Sequence, residues 1–152
     1  MLVSEILRIK GSTLFTATPD MSVSDAVHVM AERDIGSLVV MDRGVLVGML
    51  TFRELIKVLD ERGTELKSLA VSEIMERDAL TATPSMDVQE LRKAMLQRHA
   101  RYIPVMEGTM LQGVLSFHDV AKAVYEEQSF ENKMLKSYIK NWPDEEEATA
   151  GG

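Results

Sequence analysis

Few side chains in this sequence could do chemistry, and their spacing favours holding a ligand over transforming one. Two hydroxyl-x-x-carboxylate units, Thr51 with Glu54 and Ser116 with Asp119, each stand just ahead of an apolar run at helical spacing. There the hydroxyl can accept from a first-turn N–H while the carboxylate reaches back, so each unit can serve as a capping box for its helix. Arg53 and His118 occupy equal positions inside the two units, within reach of a phosphate or of solvent. A basic cluster, Arg98-His99-x-Arg101, has Arg33-Asp34-x-Gly36 as its counterpart. The absence of cysteine excludes thiol catalysis, disulfides and cysteine metal sites. His28, His99 and His118 are scattered and lack carboxylates at ligand spacing, so no metal site is expected. With no nucleophile–base pair and no Gly-rich phosphate loop, the sequence reads as a non-enzyme.

The elements that position these residues occur twice. Thr16-Ala17-Thr18-Pro19 recurs as Thr81-Ala82-Thr83-Pro84, 65 positions on, and the register continues through Met30 and Met95, Gly48 and Gly113, and Phe52 and Phe117. A fixed-period repeat implies a unit that cannot bury its apolar face alone and is completed by its neighbour. Within each copy, the residue before proline is pushed towards an extended conformation. A helix then starts at Ser22 or Asp87 as N-cap, with Val23, Ala26, Val27 and Met30 or Val88, Leu91 and Met95 as its apolar stripe. Two short apolar runs split by turn residues follow, 38–41 with 46–50 and 103–106 with 111–115, and read as hairpins. Pro104 within such a run argues for an edge or strand-start position. A second helix closes each unit, giving β-α-β-β-α. Val3-Ser4-Glu5-Ile6 also matches Val71-Ser72-Glu73-Ile74, but at an offset of 68, which puts three extra residues of the first copy in a loop around Gly11-Ser12-Thr13.

These patterns divide the chain into repeat 1 (1–67), repeat 2 (68–128), an amphipathic C-terminal helix (129–142) and an acidic, small-residue tail (143–152) expected to be disordered. The C-terminal stripe of Phe130, Met134, Leu135, Tyr138, Ile139 and Trp142 fits packing on the chain's own core or against a second subunit. With 152 residues and 45% apolar content, the chain can form one well-buried α+β core. Its formal net charge of -7 argues against nucleic acid or an acidic membrane as main partner. The sequence has no long apolar span and no signal-peptide layout, so a cytoplasmic setting is expected. The eleven methionines fall mostly at apolar repeat positions and read as gap-fillers of the core.

The run from Ile35-Gly36-Ser37-Leu38-Val39-Val40 through Leu46-Val47-Gly48 to Leu50-Thr51 resembles a cystathionine-beta-synthase (CBS) domain. Arg101-Tyr102-Ile103-Pro104-Val105 through Gly113-Val114-Leu115-Ser116-Phe117-His118-Asp119 resembles a second. The resemblance implies a CBS pair, or Bateman module: an α+β, α/β sandwich-like fold of two β-α-β-β-α units related by a pseudo-twofold. Two clefts between the units would take an adenine nucleotide (AMP, ADP or ATP first, NAD or S-adenosylmethionine as further options). In the family's pattern, Thr51 with Glu54 and Ser116 with Asp119 would hold ribose and phosphate. Arg53, His118 and Arg101 would meet phosphate, and backbone at Thr16, Thr18, Pro19, Thr81, Thr83 and Pro84 would meet the adenine edge. Ile35, Ile103 and Val105 would be core residues first and pack on the purine second, and Gly36, Ser37, Tyr102 and Pro104 complete the expected binding residues. The resemblance also implies that each cleft draws its carboxylate from one repeat and its phosphate contacts from the other. Arg101 would then serve the cleft of Thr51 and Glu54, and Asp119 would face Gly36 and Ser37, so the clefts are expected to differ. Two functions remain open. One is a regulatory nucleotide sensor, working as a homodimer. The other is a ligand-independent module that binds a partner enzyme or transporter.

Overall fold

The computed structural model describes residues 1–11 and 13–141. Trp142 and the tail expected over 143–152 lie outside them. The order of elements is α1 (Val3–Lys10), β1 (Thr16–Ala17), α2 (Val23–Arg33), β2 (Ser37–Asp42), β3 (Val45–Thr51), α3 (Phe52–Arg62), α4 (Val71–Ile74), α5 (Val88–Arg98), β4 (Tyr102–Glu107), β5 (Met110–Ser116) and α6 (Phe117–Asn141).

Local signals set the repeat. Ser22 Oγ accepts from the Asp25 N–H at 3.0 Å and Asp87 Oδ1 from the Gln89 N–H at 2.8 Å, so α2 and α5 start at their expected caps. Both hairpins form, and each carries a register shift at the same place, between Val40 and Met41 and between Val105 and Met106. The short first strand differs between the copies. β1 pairs parallel with β2, helped by the Val39 N–H donating to the Phe15 carbonyl at 3.4 Å. The residue equivalent to Val39 is Pro104, which has no N–H to give. The second copy accordingly keeps only a single parallel bridge, Ala82 to Val105, and β4 pairs with β5 alone as an edge-type strand.

Each matched Val-Ser-Glu-Ile segment is a helix start. Glu5 accepts from the Leu2 N–H at 2.6 Å and Glu73 from the Ala70 N–H at 2.7 Å. The two helices are exchanged between the copies. The N–H groups of Val3 and Ser4 donate to the carbonyls of Met86 and Pro84, and those of Val71 and Ser72 donate to Met21 and Pro19. Val3 and Ile6 are buried with Val88, Leu91, Met95, Ile103 and Leu115, whereas Val71 and Met75 are buried with Val23, Ala26, Met30, Leu38 and Leu50. Each repeat's core is therefore finished by the helix that leads the other.

The extra helix expected over 129–142 is not a separate element. α6 runs unbroken from Phe117 to Asn141. Val120, Ala123 and Val124 are buried, but Phe130, Met134, Leu135 and Ile139 remain exposed. The described residues of this stripe thus lie outside the chain's own core.

The glycines shared by the two copies sit under the exchanged helices. A Cβ on Gly48 would lie 2.8 Å from the Glu76 carbonyl oxygen, which is fixed by accepting from the Met49 N–H. A Cβ on Gly113 would meet only the Leu7 side chain, with Cδ2 at 2.7 Å and the next atom at 3.9 Å. Backbone cannot give way as a leucine methyl can, so Gly48→Ala should cost about 1–3 kcal/mol and Gly113→Ala about 1 kcal/mol or less. Urea unfolding of the two variants checks this, and equal losses would contradict the exchanged packing as described.

Candidate functional site

The cleft served by Thr51 and Arg101 is open, with a volume of about 710 Å³. Its walls come from both repeats: Met49, Phe52 and Ile56 from the first, and Leu80, Met95 and Phe117 from the second. Four cations, Arg53, Lys57, Arg98 and Arg101, line it with one carboxylate, Glu76, and with His99. Arg98 is partly committed, since its guanidinium donates to the Asp78 carbonyl at 2.8 Å. The ion pairs among the described residues engage Lys10, His28 and the Met1 amine, and none of the cleft cations. Arg53 and Lys57 stand one turn apart on α3 and so share a face. Arg101 is held by its carbonyl, which accepts from the Phe117 N–H at 2.7 Å, at the root of α6.

Thr51 lines this cleft with both of its polar groups already engaged. Its hydroxyl and its N–H each donate to Glu54 Oε1 at 2.8 Å, and the hydroxyl oxygen accepts from the Arg53 N–H at 3.2 Å. Glu54 is buried, and it lines a neighbouring groove with Glu73, Met75 and Glu76 rather than the cleft. The capping reading of this pair is therefore the one the structure shows.

At the pseudo-equivalent place, Ser116 and Asp119 form the same cap, with Asp119 Oδ2 accepting from the Ser116 N–H at 2.8 Å and Ser116 Oγ from the Asp119 N–H at 3.0 Å. Here a third group enters. The Lys10 ammonium, at the end of α1, donates to Asp119 Oδ2 at 2.6 Å and to the Val114 carbonyl at 2.8 Å. Gly36 supplies no cation, and a Cβ there would overlap the Tyr102 hydroxyl and lie 2.7 Å from Phe52 Cε2. Tyr102 and Phe52 thus use the space at Gly36 while lining the first cleft.

The remaining expected residues fall as follows. Ile103 and Pro104 are buried in β4, Ile35 packs on the first repeat's core, and Ser37 starts β2 opposite Thr51. His118 is exposed, away from the first cleft's lining. Thr16 pairs with Val39, and the carbonyls of Thr18 and Thr83 close turns by accepting from Met21 and Met86 at 3.2 Å. Thr81 is exposed, directly after Leu80 in the cleft wall. Pro19 and Pro84 dock the exchanged helices through their carbonyls. Sequence reasoning missed Lys57, for which the four-residue spacing from Arg53 was the available signal. It also missed Lys10, whose partner lies 109 residues away and which has no counterpart in the repeat. Among the described residues no group of three or more His, Asp or Glu is arranged for a metal, and no helix is long and apolar enough to cross a membrane.

Partial burial by itself would raise the Asp119 carboxyl, but the Lys10 hydrogen bond, the Ser116 amide and the Lys10 charge outweigh it and hold it below its ordinary value of 3.8. A lowered folded pKa stabilises the fold above the unfolded value, and that contribution is lost as pH falls through the folded one. Lys10→Met should therefore cost about 0.2–1 kcal/mol at neutral pH, with the gap to the unmodified chain closing in acid, at a pH under the lowered folded value. Denaturant unfolding at both pH values checks the sign, and a gap that persists in acid would contradict it.

The CBS domain family model matches residues 3–61 and 71–126. The CBS domain-containing protein CBSX3, mitochondrial, of Arabidopsis thaliana is 32% identical over 146 residues, covering 90% of this chain and 71% of that protein. The crystal structure of the CBS-domain containing protein ATU1752 from Agrobacterium tumefaciens superposes with a TM-score of 0.77 at 31% identity, over 81% of this chain and 98% of that one. The CBS domain pair of protein MJ0100, in complex with 5′-methylthioadenosine and S-adenosyl-L-methionine, shares the fold, with a TM-score of 0.74 at 23% identity over 84% and 98% of the two chains. Two tandem matches, the exchanged helices and the interrepeat cleft agree, and this chain belongs to the CBS-domain family as a CBS pair.

Proposed function

We propose that this CBS pair is a regulatory adenine-nucleotide sensor whose working site is the cleft of Thr51 and Arg101. The observation that carries the reading is the composition of that cleft, in which apolar walls fit for a purine face arginine and lysine side chains that form no ion pair among the described residues. Unpaired guanidinium and ammonium groups favour phosphate oxygens. They disfavour S-adenosylmethionine, which brings a sulfonium cation, so AMP, ADP, ATP and NAD come ahead of it here. The adenosyl ligands of the MJ0100 pair support the adenosine part of this reading only as a chemical class.

The second cleft differs in kind. Asp119 already holds Lys10, and Gly36 stands where the first cleft has Arg101. One nucleotide per chain is the stoichiometry this favours. Signalling would follow from differential binding to two arrangements of the repeats. A second copy meeting the exposed stripe of distal α6 would make a homodimer that reports the change. The same stripe favours a second reading, a ligand-independent module that engages a partner enzyme or transporter.

Thermal unfolding with AMP, ADP, ATP, NAD and S-adenosylmethionine separates these readings. A ligand at about a hundred times its dissociation constant should add roughly 2.7 kcal/mol of stability, and Arg101→Ala should abolish the shift while Asp119→Ala preserves it. No shift with any of the five would discard the sensor. Native mass spectrometry should report a species at twice the 17.0 kDa chain mass, which substitution of Leu135 and Ile139 by Asp should return to a monomer. A monomer before substitution would remove the dimer from the reading.

A further inference from the structure

The cation count of the first cleft exceeds what one monophosphate can use. Arg53, Lys57 and Arg101 line it without an ion-pair partner among the described residues, on a chain whose formal net charge is -7. Like charges gathered on an acidic protein repel one another, and nothing in the core requires them, since Arg53, Lys57 and Arg101 are all exposed. Arg101 comes from the second repeat and Arg53 from the first turn of α3, whereas Lys57 stands a further turn along that helix, about 6 Å along the axis. Arg53 and Lys57 also line the adjoining groove of about 380 Å³ beside Val58, Arg62 and Glu73. The two cations thus form a row leading from the apolar cleft into a polar trough.

Resting on the sensor reading above, we infer that the Arg53–Lys57 row makes this cleft selective for a nucleoside polyphosphate over the monophosphate. Arg101 and Arg53 would meet the phosphate nearest the ribose, and Lys57 the terminal one. Lys57 is the specificity-determining residue in this arrangement, because a monophosphate anchored at the ribose end leaves it out of reach. Four carboxylates also line the trough, Glu54 and Glu61 from α3 and Glu73 and Glu76 from α4 and the residues after it, so repulsion keeps a terminal phosphate at Lys57 rather than deeper in the trough.

Isothermal titration of the full chain with AMP, ADP and ATP tests this. The expected order is ATP tightest and AMP weakest, with at least tenfold between them, and with a steeper salt dependence for ATP. Lys57→Gln should weaken ATP about tenfold and AMP less than twofold, and Lys57→Arg should restore most of the ATP affinity. Unfolding of the ligand-free variants supplies the control for folding, and little loss is expected from an exposed, unpaired lysine. AMP binding as tightly as ATP, or equal losses for both with Lys57→Gln, would overturn the inference and leave the sensor reading intact. Failure of all three nucleotides to bind would overturn the inference, and the sensor reading falls as well only if NAD and S-adenosylmethionine also fail.

Discussion

The reciprocal docking of α1 and α4 is the interaction on which the rest of this fold depends. Neither repeat owns a complete core: Val3 and Ile6 are buried among residues 82–124, and Val71 and Met75 among residues 17–58. The chain therefore cannot bury one repeat's full apolar face without bringing in the other. The backbone pairs that dock the helices all involve the Thr-Pro turns and the helix starts beside them, so a single device sets the angle between the copies twice. Gly48 and Gly113 follow from the same constraint, because a side chain at either would stand where an exchanged segment passes.

A pseudo-twofold built this way sets equivalent residues of the two repeats in similar surroundings, and small differences then decide what each can do. Arg101 puts a cation in the first cleft, and its counterpart Gly36 leaves room for the Tyr102 hydroxyl, which lines that same cleft. Lys10 adds a second difference, since its ammonium satisfies Asp119 where the first cleft has Thr51 and Glu54 satisfying one another. Burying or half-burying a carboxylate without a partner is costly, and the two copies meet that requirement differently. Glu54 reaches back to its own cap and becomes structural. Asp119 reaches back to its own cap in the same way, and the oxygen that does so, Oδ2, also accepts from Lys10.

Much of this was legible in the sequence because it is local. The caps at Ser22 and Asp87, the hairpins and the Thr51 and Ser116 boxes depend on residues within a few positions of each other, and the repeat let each copy check the other. The mismatch of Arg101 with Gly36 could also be read there. What could not be read depends on long-range contact. The Lys10 to Asp119 pair joins residues 109 apart and breaks the repeat's symmetry, so no internal comparison could reveal it. The exchange of α1 and α4 was hidden for a related reason: the matching Val-Ser-Glu-Ile segments mark equal elements, but equality does not say which core each one enters. The separate helix expected after residue 128 merged with α6 because no Gly or Pro falls between Phe117 and Asn141 to end it.

The first cleft also lies across the joints of the structure. Met49 and Glu76 line it, and their backbones pair in both directions, at 2.9 and 2.8 Å, where the segment after α4 docks on the first repeat. Arg101 and Phe117 line it too, and their backbone bond roots α6. An anion drawing Arg53 and Arg101 together would pull the two repeats towards each other across this seam. Any rotation that resulted would be largest at the far end of α6, because a helix of 25 residues spans about 37 Å. The exposed apolar residues are concentrated there, at the end of the lever rather than at its root. In the proposed sensor, a cationic cleft at the seam and an exposed apolar stripe at the far end of α6 would couple binding at one place to recognition at the other.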